Sequence, residues 1–276
     1  MSIHPGQAGA IRGHVLSVPS LGLGRFAGLV AAAVLLVFGA AEGVSVWRSA
    51  IQNPDVTLAM DLRLYVEHAT RWIAGGGFYL PEQTTPYVIE DLFPYPPMYP
   101  PVILYLLVPI VWGIPWIAWW LVPAAIITAA IVARRPAWWQ WPLLALILVL
   151  PRTWMILIYG NPALWALAFL AAGMVWGTTP FAALKLTYLP LALIGIGRRR
   201  WWLAAGIGVL FALPFGAMWL DFAGAIANAS SNWGTVYVLG EWPIALLLVV
   251  GLATSPRWSF GPVRRKIPSA SPVPIR

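Results

Sequence analysis

The chain has little charge and no cysteine, and these two shortages exclude several classes of protein. Only 9% of its 276 residues are charged, 60% are hydrophobic, and the mean hydropathy is +0.77. Soluble domains carry about 25% charged residues, so the composition excludes an ordinary soluble fold. It predicts an all-α, polytopic integral membrane protein. The absence of cysteine excludes disulfides and thiol catalysis.

The sequence also lacks the motifs of nucleotide and metal chemistry. It has no glycine-rich phosphate loop, and its three histidines are too scattered to predict a metal site. The net charge of +8 comes largely from clusters such as Arg198–Arg200 and Arg264–Lys266, each beside a hydrophobic run. This placement is typical of cytoplasmic positive-inside signals and not of a nucleic-acid interface. We therefore expect no cofactor, no metal and no nucleic-acid partner.

Hydrophobic runs predict about eight transmembrane or re-entrant segments. Five runs are clear, namely 26–46, 116–133, 161–177, 201–220 and 242–256. Three more are shorter or broken, namely 100–113, 142–159 with Pro151-Arg152, and 179–197 with Lys185 and Pro190. A broken membrane helix is tolerated only where protein buries it or where it lines a cavity. We expect 142–159 and 179–197 to lie near a site.

The runs divide the chain into three regions. These are a flexible cytoplasmic N-terminus (1–25), a membrane domain (26–256) with an external loop at 47–98, and a basic cytoplasmic tail (257–276). With the basic clusters inside, 221–241 is a second external loop. Counting 100–113 and 116–133 as separate spans places Arg134-Arg135 outside, against the rule. A re-entrant hairpin at 179–197 changes the number of crossings, and the sequence leaves the choice open.

The external loop 47–98 holds six of the nine acidic residues. Residues 60–74 contain no proline or glycine, and their apolar side chains recur at helical spacing. This pattern predicts an amphipathic helix on the outer membrane surface. Asp61 falls in its first turn, and Tyr65 and His68 share the face of Asp61.

Several polar residues have both a structural and a chemical interpretation. Asp61 either caps this helix or acts as a general base for a sugar hydroxyl. Lys185 either extends to the membrane interface or binds a lipid phosphate. Arg152 and Arg63 are weaker candidates for the same phosphate. Asn161 belongs either to a plain turn or to a site for a hydroxyl-rich ligand.

The order of these features resembles the polyprenol-phosphate-sugar-dependent glycosyltransferases of the GT-C fold, and in particular glycosyltransferase family 87. The motifs that carry the resemblance are Asp61–Tyr65, Phe93–Pro97, Tyr159–Leu164, and Ala183–Lys185 followed by Pro190 and Arg198–Arg200. Family members typically show Gly-Gln-x-Asn near the third motif and Lys-x-x-Pro near the fourth. Here Gly160-Asn161 lacks the glutamine, and Pro190 lies five residues after Lys185.

The resemblance implies an inverting transfer of a sugar, often mannose, from polyprenyl phosphate. The acceptor is a lipid or glycan of the cell envelope, on the external face of the cell membrane. Asp61 takes the role of the base, and Lys185 and Arg152 bind the donor phosphate. Further substrate contacts are expected at Arg63, Tyr65, His68, Tyr95 and Asn161. Two alternatives stay open, a truncated non-catalytic relative or membrane scaffold, and a lipid or solute transporter.

Overall fold

The structure is a computed structural model that describes residues 21–53, 58–84, 98–233 and 240–253. Every regular element in these ranges is helical, which confirms the all-α prediction. The α-helices are α1 (Leu21–Gln52), α2 (Met60–Ile73), α3 (Pro81–Thr84), α4 (Leu104–Val111), α5 (Ala118–Arg134), α6 (Gln140–Val149), α7 (Pro151–Tyr159), α8 (Ala163–Trp176), α9 (Leu189–Ala192), α10 (Arg199–Ala212), α11 (Met218–Trp233) and α12 (Trp242–Leu252). Short 3-10 helices cover Pro101–Ile103, Thr179–Leu184, Leu186–Tyr188 and Leu213–Phe215.

One helix of the described chain, α1, is long and apolar enough to cross a membrane by itself. The number rises to three if each of two bent pairs forms one span. These pairs are α6 with α7, bent by 62°, and α10 with α11, bent by 97°. Four further apolar helical stretches are shorter. The α1 helix begins at Leu21, inside the segment 1–25 that was expected to be flexible.

The α1 helix packs along α6 and α7 through glycines that allow close approach. A Cβ atom added at Gly39 would lie 2.8 Å from the Cβ of Leu148, and one added at Gly43 would lie 2.6 Å from the Trp154 ring. Small residues at such positions bring helix backbones together and gain van der Waals contact. The first long helix is thereby fixed against the broken α6–α7 pair.

Two predicted segments have a different local structure. The break at Pro151 is confirmed, because Leu150 before it is extended (φ −77°, ψ 119°) and Pro151 begins α7. A continuous helix over 201–220 is wrong, since α10 ends at Ala212 and a 3-10 turn leads to Gly216 at φ 40°. The predicted loop 221–241 is largely helical, since α11 continues to Trp233.

Residues 179–197 form a hairpin. The Thr179 hydroxyl donates to the carbonyl of Ile194 at 2.6 Å, so the two ends of the segment lie side by side. Lys185 lies at its turn, in an extended conformation between two 3-10 helices. Arg198 follows the hairpin and lies close enough to Arg134 for the two charges to repel. Arg134, Arg135 and Arg198–Arg200 are hereafter called the basic end.

Residues 99–119 form a second hairpin at the opposite end of the bundle. The Tyr99 hydroxyl donates to Asn161, and the Trp119 indole donates to the carbonyl of Gly160, both at 2.8 Å. The segment therefore begins and ends beside the same turn. The helical part of predicted segment 100–113 is short, with a 3-10 turn at Pro101–Ile103 followed by the eight-residue α4.

Candidate functional site

The α2 helix confirms the helix predicted at 60–74. Its inner face buries Leu62, Tyr65, His68 and Ala69, and the Ala59 amide at its start donates to the carbonyl of Ile158 at 2.8 Å. Asp61 lies in the first turn and is half-buried. The prediction that Asp61, Tyr65 and His68 share one face of α2 is confirmed, because Tyr65 and His68 are buried against the bundle and Asp61 is half-buried beside them.

The turn after α7 aims Asn161 at this helix. The Asn161 amide donates to Ile156 at 2.9 Å and the Gly160 amide to Leu157 at 3.2 Å, a pairing that satisfies the last helix carbonyls. Gly160 has φ +65°, and a Cβ there would lie 3.0 Å from the Cβ of Leu62. The left-handed backbone and the close approach of Leu62 both favour glycine at this position.

A chain of hydrogen bonds connects Asp61 with Lys185. The Lys185 Nζ donates to the Tyr99 hydroxyl at 3.0 Å, and Tyr99 donates to Asn161 Oδ1 at 2.8 Å. The Ala163 amide also donates to Asn161 Oδ1, at 2.9 Å. These two donors fix the side-chain amide so that Asn161 Nδ2 donates to Asp61 Oδ2 at 2.6 Å. Every donor in the chain points toward the carboxylate.

Glu241 joins the two predicted phosphate-binding cations. Its carboxylate lies 2.6 Å from Lys185 Nζ and 2.9 Å from Arg152 Nη2, and it accepts a bond from Tyr188 at 3.4 Å. The side chain of Glu241 is fully buried, that of Lys185 is 9% exposed, and that of Arg152 is 25% exposed. Asp61, Tyr99, Arg152, Asn161, Lys185, Tyr188 and Glu241 are hereafter called the polar cluster.

The charges of the polar cluster balance, since two carboxylates face two cations. At Asp61, which lies outside the apolar segments, burial raises the pKa above that of an ordinary aspartate. The Asn161 hydrogen bond and the charges of Arg152 and Lys185 act in the opposite direction and lower the pKa. A carboxylate with a raised pKa holds a proton more strongly, which suits a general base.

The other predicted contacts are placed differently. Tyr65 is buried and packs edge-on against Tyr99, with ring centroids 5.5 Å apart. His68 is buried beside the carbonyl of Phe78 and Arg71 Nη2, and burial lowers its pKa. Arg63 is exposed on α2. Tyr95 and the Phe93–Pro97 motif lie outside the described residues. Tyr65 and His68 therefore hold the buried face of α2 against neighbouring residues of the bundle.

An apolar groove of about 540 Å³ runs beside the start of α2. Its lining includes Leu58, three residues before Asp61, and Ile158, three residues before Asn161. The rings of Trp47, Trp120 and Trp154 also line it. The indole groups of Trp120 and Trp154 donate to carbonyls of Leu157 and Leu148, so the groove presents almost only apolar surface. The groove and Asp61 therefore lie at the same end of α2.

Sequence reasoning missed Glu241, Tyr99 and Tyr188. Ionisable residues within apolar segments usually pair with one another. Two cations there, Lys185 and Arg152, therefore predict a carboxylate partner. Glu241 directly precedes the last apolar run, and this position was the available sign. Tyr99 belongs to the aromatic, proline-rich stretch that drew attention to Tyr95 instead.

Among the described residues, no three His, Cys, Asp or Glu side chains are grouped in a way that could hold a metal ion. No protein-family model, curated protein or solved structure matches this chain.

Proposed function

We propose that the protein is a polytopic glycosyltransferase of the cell membrane that transfers a sugar, mannose by the resemblance, from polyprenyl phosphate to an envelope lipid or glycan. The observation that carries the proposal is the half-buried Asp61. It combines a raised pKa, a fixed amide donor and two cations connected to it through the polar cluster. The reaction needs such a base next to cations that hold a phosphate.

In the proposed step, the acceptor hydroxyl attacks the anomeric carbon of the donor sugar. The new bond forms from the hydroxyl oxygen, and the bond from that carbon to the phosphate oxygen breaks. Asp61 accepts the hydroxyl proton, and the phosphate leaves with the bonding electrons. Attack from the side opposite the phosphate inverts the anomeric centre. A positioned general base contributes about 10²–10⁴-fold to such a rate.

The donor is an amphiphile, and the site offers surfaces for both of its parts. We assign its phosphate to Arg152 and Lys185, and its isoprenoid chain to the apolar groove beside Leu58. Burying apolar chain surface there contributes about 25 cal/mol per Å². We expect the anomeric carbon of the donor to lie beside the half-buried carboxylate of Asp61.

The proposed location is the external face of the membrane. The basic end carries Arg134, Arg135 and Arg198–Arg200, and the positive-inside rule assigns it to the cytoplasm. The polar cluster lies at the other end, where Trp119 and Tyr99 meet the 160–161 turn. Large apolar side chains on the outside of α1, such as Val37 at 70% exposure, suit contact with lipid.

A transporter is the second candidate, and one observation favours it. The hairpins 99–119 and 179–197 approach from opposite ends and meet where Lys185 donates to Tyr99. Transporters place substrate sites between broken helices of this kind. The two candidates differ in covalent chemistry, since only the glycosyltransferase forms a new glycosidic bond.

The test uses the full chain in nanodiscs with radiolabelled polyprenyl-phosphate mannose and a membrane lipid extract. The proposal predicts labelled glycolipid with the wild type and none above background with Asp61→Asn. Movement of intact donor across a proteoliposome membrane, with no labelled product, supports the transporter. Donor binding with neither result supports the non-catalytic relative.

A further inference from the structure

The buried carboxylate of Glu241 has no role in the proposed transfer step, although it contacts both cations assigned to the phosphate. It lies 2.6 Å from Lys185 and 2.9 Å from Arg152, with no exposed surface. Without Glu241, the polar cluster would hold two positive charges, on Lys185 and Arg152, and one negative charge, on Asp61. With it, the polar cluster is neutral before the donor arrives.

The donor and the product of the proposed reaction differ in charge. A sugar linked through phosphate to a polyprenol is a phosphodiester with one negative charge. Breakage of the sugar–phosphate bond leaves a phosphomonoester, whose second pKa is about 6. The product therefore carries close to two negative charges at pH 8. Any fixed charge near the phosphate acts on the product more strongly than on the donor.

We propose that Glu241 is a specificity-determining residue that lowers the affinity of the site for a dianionic phosphomonoester relative to a monoanionic phosphodiester. This inference rests on the proposed function. The Glu241 carboxylate repels the extra negative charge that appears on the phosphate after transfer. This repulsion favours release of the polyprenyl phosphate product. The charged groups that face Glu241 are Arg152 and Lys185 directly, with Tyr188 as a neutral donor and Asp61 at longer range.

The test compares two probes that differ by one methyl group and one charge. They are a short-chain isoprenyl phosphate and its methyl ester, titrated into the full chain in nanodiscs at pH 8. The measured quantity is the ratio of monoester affinity to diester affinity. Glu241→Gln removes a unit charge within a few ångströms and should raise this ratio about tenfold. Glu241→Asp keeps the charge and should leave the ratio within about threefold of the wild type.

A second pair of variants keeps the test decisive if Glu241→Gln does not fold. The double variant Lys185→Met/Glu241→Gln differs from Lys185→Met by the same unit charge, and its ratio should also be about tenfold higher. A purely structural role for Glu241 would weaken both probes equally and leave the ratio unchanged, which would overturn the inference. If neither probe binds the wild type, the donor site and the proposed function fail instead.

Discussion

The ion pair between Lys185 and Glu241 predicts an unusual pattern of stability in a double-mutant cycle. Removing one partner of a buried pair costs about 3–5 kcal/mol, because the other charge stays buried without compensation. Lys185→Met leaves Glu241 paired with Arg152, so we expect a loss near 3 kcal/mol. Glu241→Gln leaves two cations without their carboxylate, so we expect a loss near 5 kcal/mol.

Of the three charged side chains in these two ion pairs, the double variant Lys185→Met/Glu241→Gln retains only Arg152, whose side chain is 25% exposed. We expect it to be more stable than Glu241→Gln alone, so that the second substitution partly rescues the first. The free energy of unfolding is measured by SDS titration with tryptophan fluorescence. Arg63→Met on the exposed face of α2 is the control, with a change within about 0.5 kcal/mol. Losses that simply add, to a total near 8 kcal/mol, would refute the reasoning.

Three further predictions follow from the turn at Gly160 and from Asp61. Gly160→Ala meets Leu62 at 3.0 Å in a left-handed conformation, so it should cost at least about 1–2 kcal/mol and reduce transfer. Its control Gly206→Ala has open space in a helix and should be neutral or stabilising; equal losses in the two would contradict the account. Burial raises the pKa of Asp61 in the folded protein, so its ionisation costs stability above the pKa of the unfolded chain, about 3.9. Asp61→Asn should therefore raise the unfolding midpoint at pH 7, with a gain that shrinks toward about pH 4; a gain independent of pH would disprove this explanation. Asn161→Ala removes the hydrogen bond that lowers the pKa of Asp61, so the acid limb of the pH–rate profile should move to higher pH. Gln140→Ala, another buried amide loss far from Asp61, should lower stability without moving that limb.

Local pattern was sufficient to predict the helices whose cause lies in nearby residues. The spacing of apolar residues from Met60 onward predicted α2, and Pro151 predicted the break between α6 and α7, because both effects act within a few residues. The end of α10 was missed, since the apolar run continues through Pro214 and Gly216 without a polar residue. Hydropathy alone does not predict a turn that lies within an apolar run.

The site was predictable only in part, because its partners are distant in the sequence. Asp61, Arg152, Asn161 and Lys185 stood out as polar residues in or beside apolar segments, and the structure brings all four into one polar cluster. Their assembly depends on Glu241, which lies 89 residues from Arg152 along the chain. The position of Glu241 before an apolar run marks it as a candidate partner, but the identity of the cations that it pairs with becomes visible only when the hairpins are in place.

The most direct measurement of the central claim is sugar transfer by wild type and Asp61→Asn, assayed side by side in nanodiscs. Each is incubated with labelled polyprenyl-phosphate mannose and envelope lipid, and donor binding is measured in the same samples. We expect both proteins to bind the donor and only the wild type to form labelled product. Equal product from both would show that Asp61 is not the base, and the proposed mechanism would be wrong.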